Sequence, residues 1–75
     1  MTRMMKVPQA IHAVIENERE VIQLVSIGKT DYEIGVILGK AASTIAHRIS
    51  VACRVADVSN RTHLACEAIR RGWIT

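Results

Sequence analysis

The sequence is poor in aromatic residues and in proline. It contains no phenylalanine, a single proline and only Tyr32 and Trp73 as aromatic residues, yet 49% of its 75 residues are hydrophobic. The hydrophobic residues are therefore mostly aliphatic, and they form no alternating Val, Thr and Tyr runs of the kind that predict strands. These absences argue against a sheet and predict one all-α domain, near the lower size limit for a chain that folds alone.

Signals for disulfides, secretion and membrane insertion are also missing. The two cysteines, Cys53 and Cys66, lack CxxC spacing, and without a secretory signal they predict no disulfide framework. The N-terminal stretch carries positive charge, but Pro8, Gln9 and His12 interrupt the apolar segment that a leader peptide needs. No hydrophobic run approaches the length of a membrane span. We therefore predict a cytoplasmic protein with reduced thiols and no membrane contact.

No constellation of side chains predicts a metal site or catalysis. His63 and Cys66 share a helix face at i, i+3 spacing, and His47 and Cys53 lie nearby in the sequence. A structural zinc site needs four ligands, and no pair here has finger-like spacing. The same residues supply no nucleophile with a base and an orienting group, and Cys53 is better explained as a small core residue. We predict no metal, no cofactor and no enzymatic activity.

Positive charge is concentrated in the second half of the chain. Residues 1–39 hold four Lys or Arg and five acidic residues, whereas residues 40–75 hold six Lys or Arg and two acidic residues, within a net charge of +3. A basic half of this kind predicts a surface for phosphate groups. An ordinary solvated distribution of charge explains the same counts, and composition alone leaves the two interpretations open.

The first two helices are predicted from capping residues and glycines. In each, a glutamate follows the capping residue by three positions, and a glycine marks the end of the helix. Between these signals the apolar residues recur at helical spacing. The positions are Asn17, Glu20 and Gly28 with inward Val21, Leu24 and Val25 for the first helix, and Thr30, Glu33 and Gly39 with inward Ile34, Ile37 and Leu38 for the second.

The third helix is predicted from apolar positions that recur at steps of four, three and four residues. It follows a tight turn of small residues. A fourth helix then starts after Ser59 or Asn60 as its cap and ends at Gly72, and Trp73 and Ile74 are expected to fold back onto the core. The apolar positions are Ile45, Ile49, Ala52 and Ala56 in the third helix, and Leu64, Ala65, Ala68 and Ile69 in the fourth.

Two short helices joined by a tight turn, the second longer and next to basic residues, form a helix-turn-helix outline. The segments EREVIQLVSIGKTDYEIGVIL, STIAHRI and DVSNRTHLACEAIRRGWI resemble the LuxR/FixJ/NarL-type helix-turn-helix domain, from about Val14 to Ile74. THLACEAIRRGWI and ADVSNR are most similar to the quorum-sensing LuxR branch. The resemblance implies a tetrahelical domain over residues 15–75. Residues 1–14 are predicted to be an N-terminal arm, and Gln9–Ile15 to be either an extra turn of helix or an extension of the first helix. The resemblance also implies a stand-alone member, without a small-molecule ligand domain.

The sequence departs from the family pattern at the helix that the family inserts into the major groove. Ala41 replaces the serine that usually caps this helix, and Ser43 is expected to take over the cap by starting the helix two residues later. Ala46 stands where many members have a basic residue that contacts bases, and Val55 removes a further charge. These departures predict an intact fold with weaker and less specific DNA binding.

Candidate DNA contacts follow from these positions. Hydroxyl groups at the start of the third helix suit a phosphate, the outward face of the helix suits base edges, and basic residues, with Arg48 in support, suit further phosphates. Each has an ordinary alternative, namely capping, a solvated helix face or solubility. The candidate DNA-binding residues are Lys29, Lys40, Ser43, Thr44, Ala46, His47, Ser50 and Arg54.

Small alanines on one side of the fourth helix predict close approach of a second helix, with a purely internal role as the alternative. We predict a transcription regulator that binds double-stranded DNA as a homodimer and associates with the nucleoid. The alternative hypothesis is an antagonist that heterodimerises with a full-length LuxR-type quorum-sensing regulator and blocks its DNA binding. The candidate dimer-interface residues are Leu64, Ala65, Ala68 and Ile69.

Overall fold

A computed structural model describes residues 2–75 of the chain, with side chains from residue 13 onward. The backbone forms four helices, α1 (Thr2–Ser26), α2 (Asp31–Leu38), α3 (Ala42–Ala56) and α4 (Arg61–Arg70). Residues 2–75 contain no strand, so the all-α prediction is confirmed. In the same part of the chain, no helix combines the length and the apolar character needed to cross a lipid bilayer.

Helix α1 is longer than the capping pattern predicted, and it agrees with the alternative that residues before Asn17 extend the first helix. Its backbone is helical from Thr2 to Ser26 and passes through Asn17 without interruption. The predicted start at Asn17 is therefore wrong, because the helical residues before Asn17 already satisfy the N–H groups that a capping side chain would serve. The boundary predicted after residue 14 coincides with no break in α1. Most of the predicted arm, residues 1–12, lies outside the described side chains, and its separation from the domain stays a prediction.

Local chemistry defines both ends of α2. The hydroxyl of Thr30 accepts from the Glu33 N–H at 3.1 Å, and the Glu33 carboxylate accepts from the Thr30 N–H at 2.9 Å. The predicted capping box is confirmed. Gly39 ends the helix in the left-handed conformation, with φ of 70°, which glycine adopts without a steric cost. Ile34 is buried as predicted, but Ile37 is 53% exposed, because a helix of eight residues buries only one narrow stripe.

Helix α3 buries the stripe that its sequence spacing predicted. Its end is set by Asp57, which adopts the left-handed conformation with φ of 59°. Aspartate is one of the few residues besides glycine that tolerate this region. The Val58 N–H then donates to the Cys53 carbonyl at 3.0 Å and closes the last turn. The buried residues of α3 are Ile45, Ile49, Ala52 and Ala56.

Helix α4 is bounded by a capping asparagine and a returning C-terminus. Asn60 Oδ1 accepts from the His63 N–H at 2.9 Å, so Asn60 is the cap among the two predicted candidates. After the helix, the Trp73 N–H donates to the Ala68 carbonyl at 2.8 Å. Ile74 is buried. The predicted folding back of the C-terminus onto the core is confirmed.

The four helices surround one aliphatic core. Helix α1 packs against α3 and α4, and α2 packs mainly against α3. At the surface, Arg61 Nη1 lies 2.5 Å from Asp31 Oδ1, and Arg61 Nη2 donates to the Lys29 carbonyl at 3.1 Å. Arg61 therefore links the start of α4 to the turn between α1 and α2. The largest fully buried side chains are Val21, Ile22, Ile34, Ile45 and Leu64.

Candidate nucleic-acid interface

Helix α3 presents one polar face away from the core. Positions 43, 47, 50 and 54 recur at steps of four, three and four residues, which keep side chains on one face of a helix. Position 46 lies beside this row, and position 44 lies at the start of the same helix. The structure therefore brings together, on the exposed surface of one helix, Ser43, Thr44, Ala46, His47, Ser50 and Arg54.

A tight turn holds α3 against α2. The Lys40 N–H donates to the Gly35 carbonyl at 2.8 Å. A Cβ atom on Gly35 would lie 2.5 Å from the Lys40 carbonyl oxygen and 3.4 Å from the Ala42 nitrogen, so only glycine permits this approach. Sequence reasoning missed Gly35. The sequence signal for this close approach is a glycine in the middle of a predicted helix. Glycine there destabilises a helix by roughly 0.5–1 kcal/mol relative to alanine, so its presence indicates a packing requirement.

The start of α3 has no capping side chain. The helix begins at Ala42 with Ala41 as its N-cap, and this residue makes no side-chain hydrogen bond to the first turn. The expectation that Ser43 caps the helix is wrong, because Ser43 already lies inside the first turn. The Ser43 and Thr44 hydroxyls are at exposed positions. Uncapped N–H groups and nearby hydroxyls at a helix N-terminus are suited to a phosphate oxygen.

Two basic residues accompany this face. Lys40 and Arg54 are exposed, and neither forms an ion pair with any side chain from residue 13 onward. Lys29 is placed elsewhere, half-buried in a groove beside α4. The guanidinium of Arg48 is directed to α1, where its Nε lies 2.8 Å from Glu18 Oε1, so its predicted supporting role stays a prediction. Free positive charge on α3 and its preceding turn therefore comes from Lys40 and Arg54.

Half of the predicted dimer residues lie inside the domain. Leu64 and Ala68 have 0% exposed surface because they pack in the core, so they offer nothing to a second chain. Ala65 is half-buried and Ile69 is 52% exposed. Together with exposed Cys66 they line an open groove of about 720 Å³ between α4 and the α1–α2 turn. Of the four predicted dimer residues, only Ala65 and Ile69 therefore reach the surface of α4.

The thiols and histidines are dispersed. Among the side chains that the structure describes, no three His, Cys, Asp or Glu groups converge on a position that could hold a metal ion. Burial raises the pKa of the Cys53 thiol, and the positive charge of Arg61 acts in the opposite direction. Cys53 packs against the core. A thiol with a raised pKa stays protonated at neutral pH and is a poor nucleophile.

Comparison with known proteins gives one point of reference. Over 64 residues, which make up 85% of this chain, the sequence is 30% identical to the transcriptional regulatory protein DegU of Brevibacillus brevis. The chain spans only 27% of the length of that protein. No family model matches the chain. No solved structure matches it either.

Proposed function

We propose that the chain is a DNA-binding transcription regulator that inserts α3 into the major groove of duplex DNA. The observation that carries the proposal is the exposed polar face of α3 beside an uncapped helix start. The major groove is wide enough to admit an α-helix, and a helix set on its neighbour by a tight turn is the geometry of helix-turn-helix proteins. Similarity to a protein named as a transcriptional regulatory protein supports the same function.

Phosphate contacts supply most of the affinity in this proposal. Ser43 and Thr44 offer hydroxyl groups next to the N–H groups of the first turn, while Lys40 and Arg54 offer positive charge. Lys40 lies in the turn before α3, and Arg54 lies in the last turn of α3, so the two basic residues stand at opposite ends of the helix. In this proposal the two side chains contact phosphates at separate points of the DNA backbone.

Sequence preference is modest in this proposal. Ala46 can contact a thymine methyl group, and His47 and Ser50 can exchange hydrogen bonds with base edges. None of the three offers the bidentate contact between arginine and guanine, which contributes roughly 1–3 kcal/mol of discrimination. We infer that the protein binds many duplexes with similar affinity and prefers some sites by a small factor.

The proposal extends to a homodimer of the LuxR quorum-sensing type. Exposed Ile69, with Ala65 and Cys66 beside it, gives α4 an outer surface on which a second α4 can pack. A two-fold axis there would present two copies of α3 to half-sites about 34 Å apart, one turn of DNA. The resemblance of THLACEAIRRGWI to that branch supports this arrangement. In this proposal the protein acts in the cytoplasm, on nucleoid DNA.

Fluorescence anisotropy with labelled duplex DNA, at about 50 mM and about 200 mM salt, tests direct binding. We expect binding that weakens steeply with salt, because each neutralised phosphate releases counterions. A steep salt dependence with little difference between duplexes would support a phosphate-dominated binder. The absence of any salt-dependent binding at micromolar protein would exclude direct DNA binding.

Ala46, on an α3 surface with little charge, favours a second candidate function. In it the chain uses the groove at α4 to heterodimerise with a full-length LuxR-type regulator, and the mixed dimer binds DNA poorly. The discriminating experiment adds the chain to such a regulator bound to its DNA. An antagonist suppresses that binding while showing no DNA binding of its own, whereas a direct DNA binder raises the anisotropy of the duplex alone.

A further inference from the structure

Arg48 of α3 is turned away from the DNA-facing surface by a contact with α1. Its Nε lies 2.8 Å from Glu18 Oε1, and its Nη2 donates to the Asn17 carbonyl at 3.4 Å. The side chains of Arg48 and Glu18 are 29% and 14% exposed. The pair therefore lies at the edge of the domain, where the guanidinium can leave its partner without opening a hole in the core.

The contact is close but poorly hydrogen-bonded. The Glu18 Oε1 atom is buried and accepts no hydrogen bond from any described residue, although Arg48 Nε lies 2.8 Å away. Among the described residues, the one hydrogen bond from Arg48 goes to the Asn17 carbonyl, and it is long for an N–H to oxygen bond. Attraction between opposite charges is thus the main force that keeps the guanidinium on α1.

The position of Arg48 on α3 would suit a phosphate. It follows Thr44 by four residues, so the two side chains are neighbours on one side of the helix, about 5–6 Å apart at Cβ. Thr44 stands at the helix start that the proposed function places against a phosphate. An arginine one turn further along, with its long side chain free, could reach the same strand of the DNA backbone.

We propose that Glu18 holds Arg48 against α1 and thereby limits the DNA affinity of α3. Glu18 is a positioning residue in this account, since it acts on DNA only through the guanidinium of Arg48. The inference rests on the proposed DNA binding. The low positive charge of the α3 face then has two causes, namely the residues exposed on it and the contact that holds Arg48 against α1.

The test compares DNA affinity and its salt dependence among wild type, Glu18→Gln, the double variant Glu18→Gln/Arg48→Gln, and Glu16→Gln. Glu16 is an exposed residue of α1 that pairs with Arg19, so its substitution removes the same charge and leaves the Arg48 contact intact. Circular dichroism confirms that each variant is folded. Glu18→Asp keeps the charge with a shorter reach, and it replaces Glu18→Gln if that variant does not fold, with a smaller gain of the same sign expected.

We expect Glu18→Gln to bind DNA more tightly and to steepen the salt slope by about 0.9, the value for one added phosphate contact. The added contact corresponds to roughly a threefold greater loss of affinity between 50 and 200 mM salt. The double variant should lose this gain, and Glu16→Gln should show a smaller change. Equal effects of Glu18→Gln and Glu16→Gln, or a gain that persists in the double variant, would overturn the inference.

The same measurements distinguish a failure of the inference about Glu18 from a failure of the proposed function. If the wild type binds DNA with a clear salt slope that Glu18→Gln leaves unchanged, the inference is wrong and the proposed function stands. If neither protein shows salt-dependent binding to any duplex, the proposed function fails and the inference falls with it.

Discussion

The carbonyl oxygen of Lys40 lies 2.5 Å from the point that a Cβ atom on Gly35 would occupy. This approach lets the Lys40 N–H reach the Gly35 carbonyl at 2.8 Å and brings the first residue of α3 beside the middle of α2. The angle between α2 and α3 therefore depends on the absence of a side chain at Gly35. In the proposed function, that angle aims the DNA-binding face.

Substitution of Gly35 by alanine should destabilise the protein by roughly 1–3 kcal/mol, the usual range for overpacking. Alanine favours the helix locally, so any loss must come from the displaced turn. Chemical unfolding followed by circular dichroism measures it. Val36→Ala changes the neighbouring, exposed residue of α2 and serves as the control. An unfolding midpoint of Gly35→Ala equal to that of the control would contradict the close approach.

The helix ends were predictable where the determining contacts are local. Thr30 and Glu33 lie three residues apart, and their capping box forms because each side chain needs only its neighbour's backbone. Ile45 and Ile49 were placed correctly in the core for a similar reason, since helical periodicity alone puts them on one face. Contacts between residues close together in the sequence determine these features, and the packing of the helices leaves them unchanged.

The structure departs from the sequence analysis at Arg48 and Asn17, for different reasons. Arg48 looked available because no sequence pattern connects it with Glu18, which lies thirty residues earlier and meets it only when α1 crosses α3. Asn17 looked like a helix start because a capping pattern also occurs inside helices. The polar face of α3 is exposed as predicted, but its charge is smaller than predicted because Arg48 lies against Glu18.

Glu67 should make stability depend on pH. Arg71 Nε donates to its carboxylate at 2.9 Å, and Arg70 pairs with the second oxygen. Burial acts to raise the pKa of Glu67, but the hydrogen bond from Arg71 and the charges of both arginines outweigh it and lower the pKa below 4.5. The unfolded chain therefore takes up this proton at a higher pH than the folded protein does.

The contribution of Glu67 is present above pH 4.5, the ordinary value of its pKa, and is lost as pH falls through the folded-state value. Wild type should be more stable than Glu67→Gln at neutral pH, and the two melting temperatures should converge in acid. Thermal unfolding across this range measures the effect. A constant difference between the two proteins at every pH would show that the charge of Glu67 is not responsible.

Ile69 should control self-association. It is 52% exposed on α4, and substitution by glutamate would place a charge in any contact between two copies of that helix. Val36→Glu introduces the same charge at an exposed aliphatic residue of α2 and is the matched control. Sedimentation velocity should show a dimer for wild type and Val36→Glu and a monomer for Ile69→Glu. A wild type that stays monomeric at every concentration would rule out the homodimer.

Arg54 and His47 should affect DNA binding differently. Arg54→Ala removes a phosphate contact, so it should weaken binding to all duplexes alike and reduce the salt slope by about 1. His47→Ala removes a contact to base edges and should change the ratio of affinities between two duplexes of different sequence. Anisotropy titrations on two duplexes measure both effects. If both variants weaken the two duplexes equally, the assignment of roles on α3 is wrong.

The central claim is that DNA lies against the outer face of α3. Titration of the isotope-labelled protein with duplex DNA, followed by amide chemical shifts, observes the contact surface directly. The account predicts that the largest shifts occur in the first half of α3, around Ser43, Thr44 and His47, and at Lys40 in the preceding turn. Shifts confined to α4, or no shifts at a low salt concentration that favours binding, would contradict it.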